Sequence, residues 1–219
     1  MCPLIWLRDC LLNDNLRLAI FSAALSAALG MLVVIWFEWM KRPKLRITIA
    51  EPWDGYLGNS LVRTVRITAE NVSPPVVVRW FVRRQPAFAA YALIDFFRLD
   101  GTTAGAGSMN ARWVGSPQPP QLAQNNVIYP DALEILRYRD VHINRVEPID
   151  IATKFGDEMD CFGFTNTSYR HHDFKDPGWH LPQESYRIRV SIYSGSDEKS
   201  KTFILRNDLP RPDFCLERT

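Results

Sequence analysis

The sequence has few of the residue patterns that mark enzymes and metal-binding proteins. Its four cysteines include no CxxC pair, so the zinc-ribbon pattern is absent. It contains no G-x-S-x-G elbow and no G-x-x-x-x-G-K-[ST] phosphate loop. The 26 basic and 24 acidic residues nearly balance, which argues against a nucleic-acid-binding protein. We therefore predict a protein that is not an enzyme, with no cofactor and no nucleic-acid partner.

Charge is absent from one long segment, residues 18–37. At about 1.5 Å of rise per residue, twenty helical residues cross a hydrocarbon core of about 30 Å. The run is longer than the apolar core of a signal peptide, about 7–15 residues, and no small-residue cleavage pattern comes before Trp36. The sequence predicts a single transmembrane helix over residues 17–40, preceded by a tail or interfacial segment over residues 1–16.

Basic residues flank this segment unequally. Two precede it and four follow it within ten positions: Arg8 and Arg17 before, and Lys41, Arg42, Lys44 and Arg46 after. Because positive flanks stay on the cytoplasmic side, we predict a cell-membrane protein whose C-terminal domain is cytoplasmic. Trp36 and Trp39 lie where indole rings prefer the headgroup region.

Small residues recur every four positions inside the segment, at Ser22, Ser26 and Gly30. This spacing places them on one helix face, where two backbones can approach closely. The stripe predicts helix packing in a homo-oligomer. The alternative, that small residues are simply tolerated in a lipid-facing helix, stays open.

The remaining sequence alternates apolar and polar residues in short runs bounded by turn residues. It indicates about eight strands and no long amphipathic helix, which is typical of an antiparallel immunoglobulin-like β-sandwich. We place this domain at residues 44–207, followed by a C-terminal tail at 208–219. The predicted strands are 44–51, 61–70, 87–99, 111–114, 149–155, 159–165, 185–193 and 201–206, and the predicted loops include 53–60, 103–110 and 166–183.

Residues 76–85, VVVRWFVRRQ, allow two interpretations. Their β-branched residues favour an edge strand, in which the arginines would act as protective charges. In a protruding loop, the same residues would contact lipid headgroups or an acidic partner. The candidate contact residues are Arg79, Trp80, Arg83 and Arg84.

Histidines and an aspartate cluster in the predicted loop over residues 166–183, as His171, His172, Asp173 and His180. Adjacent residues on an extended chain point to opposite sides, so His171 and His172 do not readily share a metal ion. We expect a polar surface loop. The alternative, a metal-dependent enzyme that uses this loop, requires His172, Asp173 and His180 to converge.

The order of these segments resembles that of uncharacterised prokaryotic proteins with one N-terminal membrane anchor and an immunoglobulin-like β-sandwich. The matching motifs, within residues 18–207, are LRITIAE, VRITAENVS, Ala111-Arg112-Trp113 leading to SPQP, SYRIRVSIYSG and TFILRN. Residues 76–85 depart from the family pattern as an insertion. The resemblance implies an interaction or envelope module and brings no catalytic residues.

Together these features predict a single-pass membrane protein whose non-catalytic β-sandwich binds a protein partner or assembles with itself. An accessory subunit of a larger membrane complex is the alternative. In a cytoplasmic domain, Cys161 and Cys215 are expected to be free thiols.

Overall fold

The computed structural model of the chain describes residues 3–118, 133, 135–195 and 197–219, without the side chains of residues 3–15 and 106. Over these residues the chain is mainly β, with two antiparallel sheets and one N-terminal apolar helix. This confirms the predicted fold class at that level. The chain divides into two compact units, the first containing the helix and Pro74–Arg84, and the second containing Pro43–Ser73 and Gln85–Thr219.

The helix, α1, extends over Pro3–Lys41, so the predicted N-terminal tail or interfacial segment is helical from Pro3 and continuous with the apolar run. Its part from Leu16 to Lys41, 26 residues, is long and apolar enough to cross a membrane, and none of its apolar window is buried. The helix ends at Lys41 because Pro43 disfavours helical backbone in the residue before it, Arg42.

The strands, numbered along the chain, form two sheets. The first contains β1 (Leu45–Ile49), β2 (Trp53–Leu57), β3 (Ser60–Asn71), β6 (Arg112–Trp113), β8 (Val146–Phe155), β9 (Cys161–Gly163) and β10 (His180–Leu181). The second contains β4 (Ala87–Arg98), β5 (Thr103–Asn110), β7 (Arg139–Val141), β11 (Ser185–Ser194), β12 (Asp197–Arg206) and β13 (Cys215–Arg218).

The first sheet is built around β3, which pairs with β8 along most of its length and with β2 and then β1 on its other edge. The predicted exposure of alternate residues in β8 is wrong, because Asp150 and Lys154 are buried. Asp150 accepts a hydrogen bond of 2.6 Å from Arg66 Nε, and Lys154 Nζ donates to the carbonyls of Asn207 (3.0 Å) and Leu209 (2.7 Å). Strand β8 can bury polar side chains because distant segments supply their partners.

The second sheet is built around β11, whose inward residues Tyr186, Ile188, Val190 and Ile192 are all fully buried, as the alternation predicted. It pairs with β12 on one edge and β4 on the other. In β4, strict alternation from Ala90, Ala92 and Ile94 places Phe88 on the buried face, and this expectation is wrong. A bulge lies between Ala87 and Ala90, and Ala89 has a positive φ of 46°, so Phe88 is exposed.

One apolar cluster contains residues from both sheets, which gives the β-rich unit a single core. Trp113 is among its largest fully buried side chains, and its indole Nε1 donates to the carbonyl of Arg137 at 3.0 Å. This hydrogen bond satisfies the one polar atom of a side chain that is otherwise surrounded by the core.

Three segments that the sequence marks as irregular are strands. Residues 53–60 begin with β2, residues 103–110 form β5, and the predicted C-terminal tail contains β13, which pairs with β12. Their glycines and prolines are locally unfavourable for strands, but each segment pairs with a long neighbouring strand whose hydrogen-bonding groups it satisfies. The β-rich unit therefore continues past residue 207 to the end of the chain.

Cys161 and Cys215 are free thiols. Cys161 is fully buried in β9, and burial raises the pKa of its thiol well above the ordinary value. Burial also raises the pKa of the Cys215 thiol. Both thiols therefore have low nucleophilicity at neutral pH.

The hydrogen bonds of the Asp208 carboxylate should make the free energy of unfolding depend on pH. This carboxylate accepts hydrogen bonds from Arg206 Nε (3.0 Å), Arg206 Nη2 (2.9 Å) and Ser185 Oγ (2.5 Å), which hold the pKa of Asp208 below its ordinary value of 3.8. Because the pKa is lower in the folded state, the stabilisation is present above pH 3.8 and is lost as the pH falls toward the folded-state pKa. The group is partly exposed, so we expect Asp208→Asn to lower the free energy of unfolding at neutral pH by at most about 1 kcal/mol.

This difference should vanish in acid, measured by urea unfolding of the full chain in mild detergent. Asp157→Asn, in an exposed turn, is the control and should stay within about 0.5 kcal/mol of wild type. A loss that is equal at neutral and acid pH would contradict the assignment.

Candidate functional site

Asn71, the last residue of β3, holds together the two ends of an excursion of the chain. Its side chain is fully buried; the carbonyl accepts from Lys44 N at 3.2 Å, and the amide donates to the carbonyls of Gln85 (2.9 Å) and Val141 (3.4 Å). Next to it, Val72 N donates to the Lys44 carbonyl at 3.0 Å. The chain therefore leaves the sheet after residue 71 and returns at residue 85 beside the same asparagine.

Between these ends, Pro74–Arg84 forms a compact loop, which we call the 74–84 loop. It contains a short 3-10 helix at Val76–Val78, and Phe81 N and Val82 N both donate to the Val78 carbonyl (3.0 and 2.9 Å). A loop of this length with adjacent ends and its own internal hydrogen bonds has the character of an Ω-loop.

The tip of the 74–84 loop exposes large apolar side chains. The exposed fractions are 71% for Val76, 84% for Val77, 90% for Trp80 and 77% for Phe81, whereas Val82 is buried at 1%. Single exposed apolar residues are ordinary, but a group of four within six positions is of the kind that marks an interaction surface.

All charged side chains of the 74–84 loop and its flanking residues are positive. Residues 71–85 contain no aspartate or glutamate and three arginines. Arg79 and Arg83 are exposed beside Trp80, as expected for contact residues. The predicted role of Arg84 as a surface contact is not supported, because Arg84 is buried and its burial lowers the pKa of the guanidinium.

The predicted edge strand over residues 76–85 is wrong, and the segment is a loop, as in the alternative that the sequence left open. Three successive valines favour a strand by their propensity. The preceding Pro74 and Pro75 have no backbone N–H, so the chain cannot begin a ladder there. The chain turns into the 3-10 helix instead, and this presents the apolar side chains outward.

The predicted helix-packing residues Ser22, Ser26 and Gly30 lie on the exposed surface of α1. Ser22 Oγ donates to the Ala19 carbonyl of its own helix at 2.9 Å, so its hydrogen-bonding need is met without a second helix. The space beside Gly30 is open: apart from the adjoining helix backbone, no described atom lies within 4 Å of the position of a Cβ. The stripe therefore offers close packing rather than required hydrogen bonds.

The histidine loop does not bring its candidate ligands together. His180 Nε2 lies 2.8 Å from Asp160 Oδ2, while His171 Nε2 lies 3.7 Å from a different carboxylate, that of Asp176. Residues 166–183 contain two short 3-10 helices, Asn166–Arg170 and Pro177–Trp179, rather than one open loop. In the part of the chain that the structure describes, no group of three or more His, Cys, Asp or Glu side chains is placed to hold a metal ion.

A cleft of about 230 Å³ opens beside these short helices. Its described lining consists of amide, hydroxyl, guanidinium and apolar side chains: Asn110, Leu133, Arg137, Thr165, Asn166, Thr167 and Trp179. Asn166 is already engaged, because Arg112 Nη1 donates to its carbonyl at 2.6 Å. The cleft therefore offers polar binding groups, and its described lining includes no carboxylate or imidazole for proton transfer.

Reasoning from the sequence missed two parts of this site. It did not assign Val76 and Val77 to the exposed surface, because a β-branched run is also typical of a strand. It also did not identify Asn71, whose side chain amide connects backbone groups that are far apart in sequence. The available signal was the uniform positive charge of residues 71–85, which a paired strand does not require.

Comparisons of the chain with protein-family models, with curated proteins and with solved structures found no match. The resemblance to membrane-anchored prokaryotic proteins therefore stays a prediction that depends on the motifs.

Removal of the Asn71 side chain tests whether it holds the ends of the 74–84 loop. Asn71→Ala leaves buried backbone groups without their partner, so we expect the free energy of unfolding to fall by about 1–3 kcal/mol. Trypsin should also cleave the full chain faster after Arg79 or Arg83, because the loop ends are no longer fixed.

Ser73→Ala is the matched control for this prediction. It removes an exposed hydrogen bond of 2.6 Å to Asn144 at the same end of the loop, and we expect a change within about 0.5 kcal/mol. Equal effects of the two substitutions would show that the Asn71 contacts do not carry the loop ends.

Proposed function

We propose that the protein is a single-pass membrane protein whose β-rich unit, with an immunoglobulin-like sandwich topology, binds a protein partner or assembles with itself at the cytoplasmic surface. It catalyses no reaction in this role. An accessory subunit of a permanent membrane complex is the closest alternative, and it differs only in how long the partner stays bound.

The observation that supports this proposal most strongly is the complete exposure of the apolar part of α1. The side chains of Leu18, Phe21, Met31 and Ile35 each expose more than 60% of their surface. In water, such a surface is unfavourable by about 25 cal/mol for each Å². A hydrocarbon environment removes this penalty, and the helix satisfies its own backbone hydrogen bonds as a membrane requires.

The connection between helix and sheet is short. Three residues separate Lys41, the last residue of α1, from Leu45, the first residue of β1. At about 3.6 Å per residue, the four steps from Lys41 to Leu45 cover at most about 14 Å. If α1 crosses the membrane, β1 begins close to the membrane surface. A partner that is itself bound to the membrane would then meet the β-rich unit by diffusion within the membrane plane.

The motifs of the resemblance support an interaction role, and so does the exposed apolar group of the 74–84 loop. The β-rich unit has one apolar cluster, so it does not need a partner to complete a core. Among its described residues no three-residue metal group is found. A second cleft of about 500 Å³ does contain a carboxylate and an imidazole, those of Asp140 and His142. The metal-dependent enzyme remains an alternative without a described site to support it.

The topology of the chain is tested in membranes of cells that express it. We expect the full chain to stay in the membrane after extraction at alkaline pH, with α1 uncleaved as judged by intact mass. Protease added outside intact cells should leave the β-rich unit undigested, and should digest it after the membrane is opened. Release of the chain by alkali, or loss of α1 from the mature protein, would disprove the anchor, and digestion in intact cells would reverse the orientation.

Self-association through α1 is tested by bulky substitutions in the stripe. Because lipid gives apolar surfaces no reason to associate, helix pairing depends on close packing. Ser26→Leu and Gly30→Leu should therefore lower the fraction of cross-linked homo-oligomer in mild detergent severalfold, whereas Leu25→Ile and Leu32→Ile should leave it unchanged. If the wild type is oligomeric and the Leu variants are equally so, assembly belongs to the β-rich unit. A wild type that purifies neither as an oligomer nor with a stoichiometric partner would contradict the proposed function.

A further inference from the structure

The 74–84 loop exposes large apolar side chains that are unfavourable in water and are not packed into the core. Val76, Val77, Trp80 and Phe81 are all more than 70% exposed, and they come from eleven residues whose internal hydrogen bonds keep the loop compact. The exposed apolar group therefore belongs to a structured element rather than to an extended chain.

The ends of this loop lie beside the residues that follow α1. Val72 N donates to the carbonyl of Lys44, three residues after the end of the helix, and Asn71 accepts from Lys44 N. The 74–84 loop and α1 belong to the same compact unit of the chain. If α1 crosses a membrane, the loop begins within a few residues of the membrane boundary.

The chemistry of the loop matches that boundary. Tryptophan is enriched where headgroups meet acyl chains, because its ring is apolar and its N–H seeks a polar partner. Exposed Arg79 and Arg83 next to Trp80 supply guanidinium groups that bind phosphate oxygens. With no acidic residue in positions 71–85, nothing in this segment repels the phosphates.

We propose that the 74–84 loop inserts Val76, Val77, Trp80 and Phe81 into the interfacial region of the same bilayer that α1 crosses, with Arg79 and Arg83 on lipid phosphates. The unit that contains α1 and the 74–84 loop thus has two contacts with the same bilayer. This inference depends on the proposed function, because it requires α1 to span. Insertion of this kind reaches about 5–10 Å into the boundary between headgroups and acyl chains.

The experiment uses the full chain in vesicles of phosphatidylcholine and phosphatidylglycerol. A fluorescent maleimide is attached at one position at a time, through Trp80→Cys or Val77→Cys, in a background with Cys2, Cys10 and Cys215 replaced by serine. Cys161 is kept, because its full burial and raised thiol pKa prevent labelling. Tyr56→Cys, at an exposed aromatic position in β2, is the control for the β-rich unit, and Leu29→Cys reports on α1.

Each label is quenched in turn by aqueous iodide, by a lipid with a nitroxide near its headgroup and by one with a nitroxide deep in its acyl chain. We expect labels at 77 and 80 to be quenched by the shallow nitroxide and protected from iodide severalfold relative to the label at 56. The label at 29 should respond to the deep nitroxide.

The outcomes separate the two proposals. A label at 29 that no nitroxide lipid quenches would overturn the membrane-spanning helix, and the loop inference with it. If the label at 29 responds but labels at 77 and 80 are quenched by iodide as strongly as the label at 56, only the loop inference fails. Labels at 77 and 80 that are protected from both iodide and lipid would show that protein, such as a second copy of the chain, covers the loop, and would also overturn it.

Discussion

The path of the chain between β3 and β4 depends on the hydrogen bonds of one buried side chain, Asn71. Its amide joins the first residues of the β-rich unit at Lys44, the returning chain at Gln85 and the end of β7 at Val141. An amide buried without partners is costly, so these three contacts are required once the side chain is enclosed. They fix where the chain leaves the sheet and where it returns, and the 74–84 loop is the consequence.

The described residues treat their apolar side chains in two ways. The β-rich unit buries its apolar residues in one cluster, whereas α1 and the 74–84 loop expose theirs. Contact with a lipid bilayer, as proposed for both segments, would remove these apolar side chains from water. Residues 71–85 contain no aspartate or glutamate, and the positive charge of this segment suits the phosphate layer of the proposed bilayer.

Sequence reasoning succeeded where a segment's environment is uniform along its length. The alternation of β11 was predicted correctly because one face of this strand lies against the core throughout. In β3 the alternation holds from Val65 to Ala69, but Val62 and Thr64, which precede a register shift, are also buried and do not share its parity. It failed at Phe88, because a bulge in β4 turns this side chain to the exposed face. It failed at Asp150 and Lys154 for another reason: both are buried in β8, where distant residues supply their hydrogen-bond partners. It also failed for β2, β5 and β13, whose glycines and prolines mark turns in an isolated chain.

The sequence by itself determined the apolar helix, the half-buried strands and the charge of residues 71–85, because hydrophobic periodicity and composition are local properties. The tertiary structure decided which irregular segments become strands and that VVVRWF forms an exposed loop rather than an edge strand. It also decided that Arg84 is buried while Arg79 and Arg83 are not. The physical reason is that burial and hydrogen-bond partners come from residues far along the chain: Val141, a partner of Asn71, is 70 positions away.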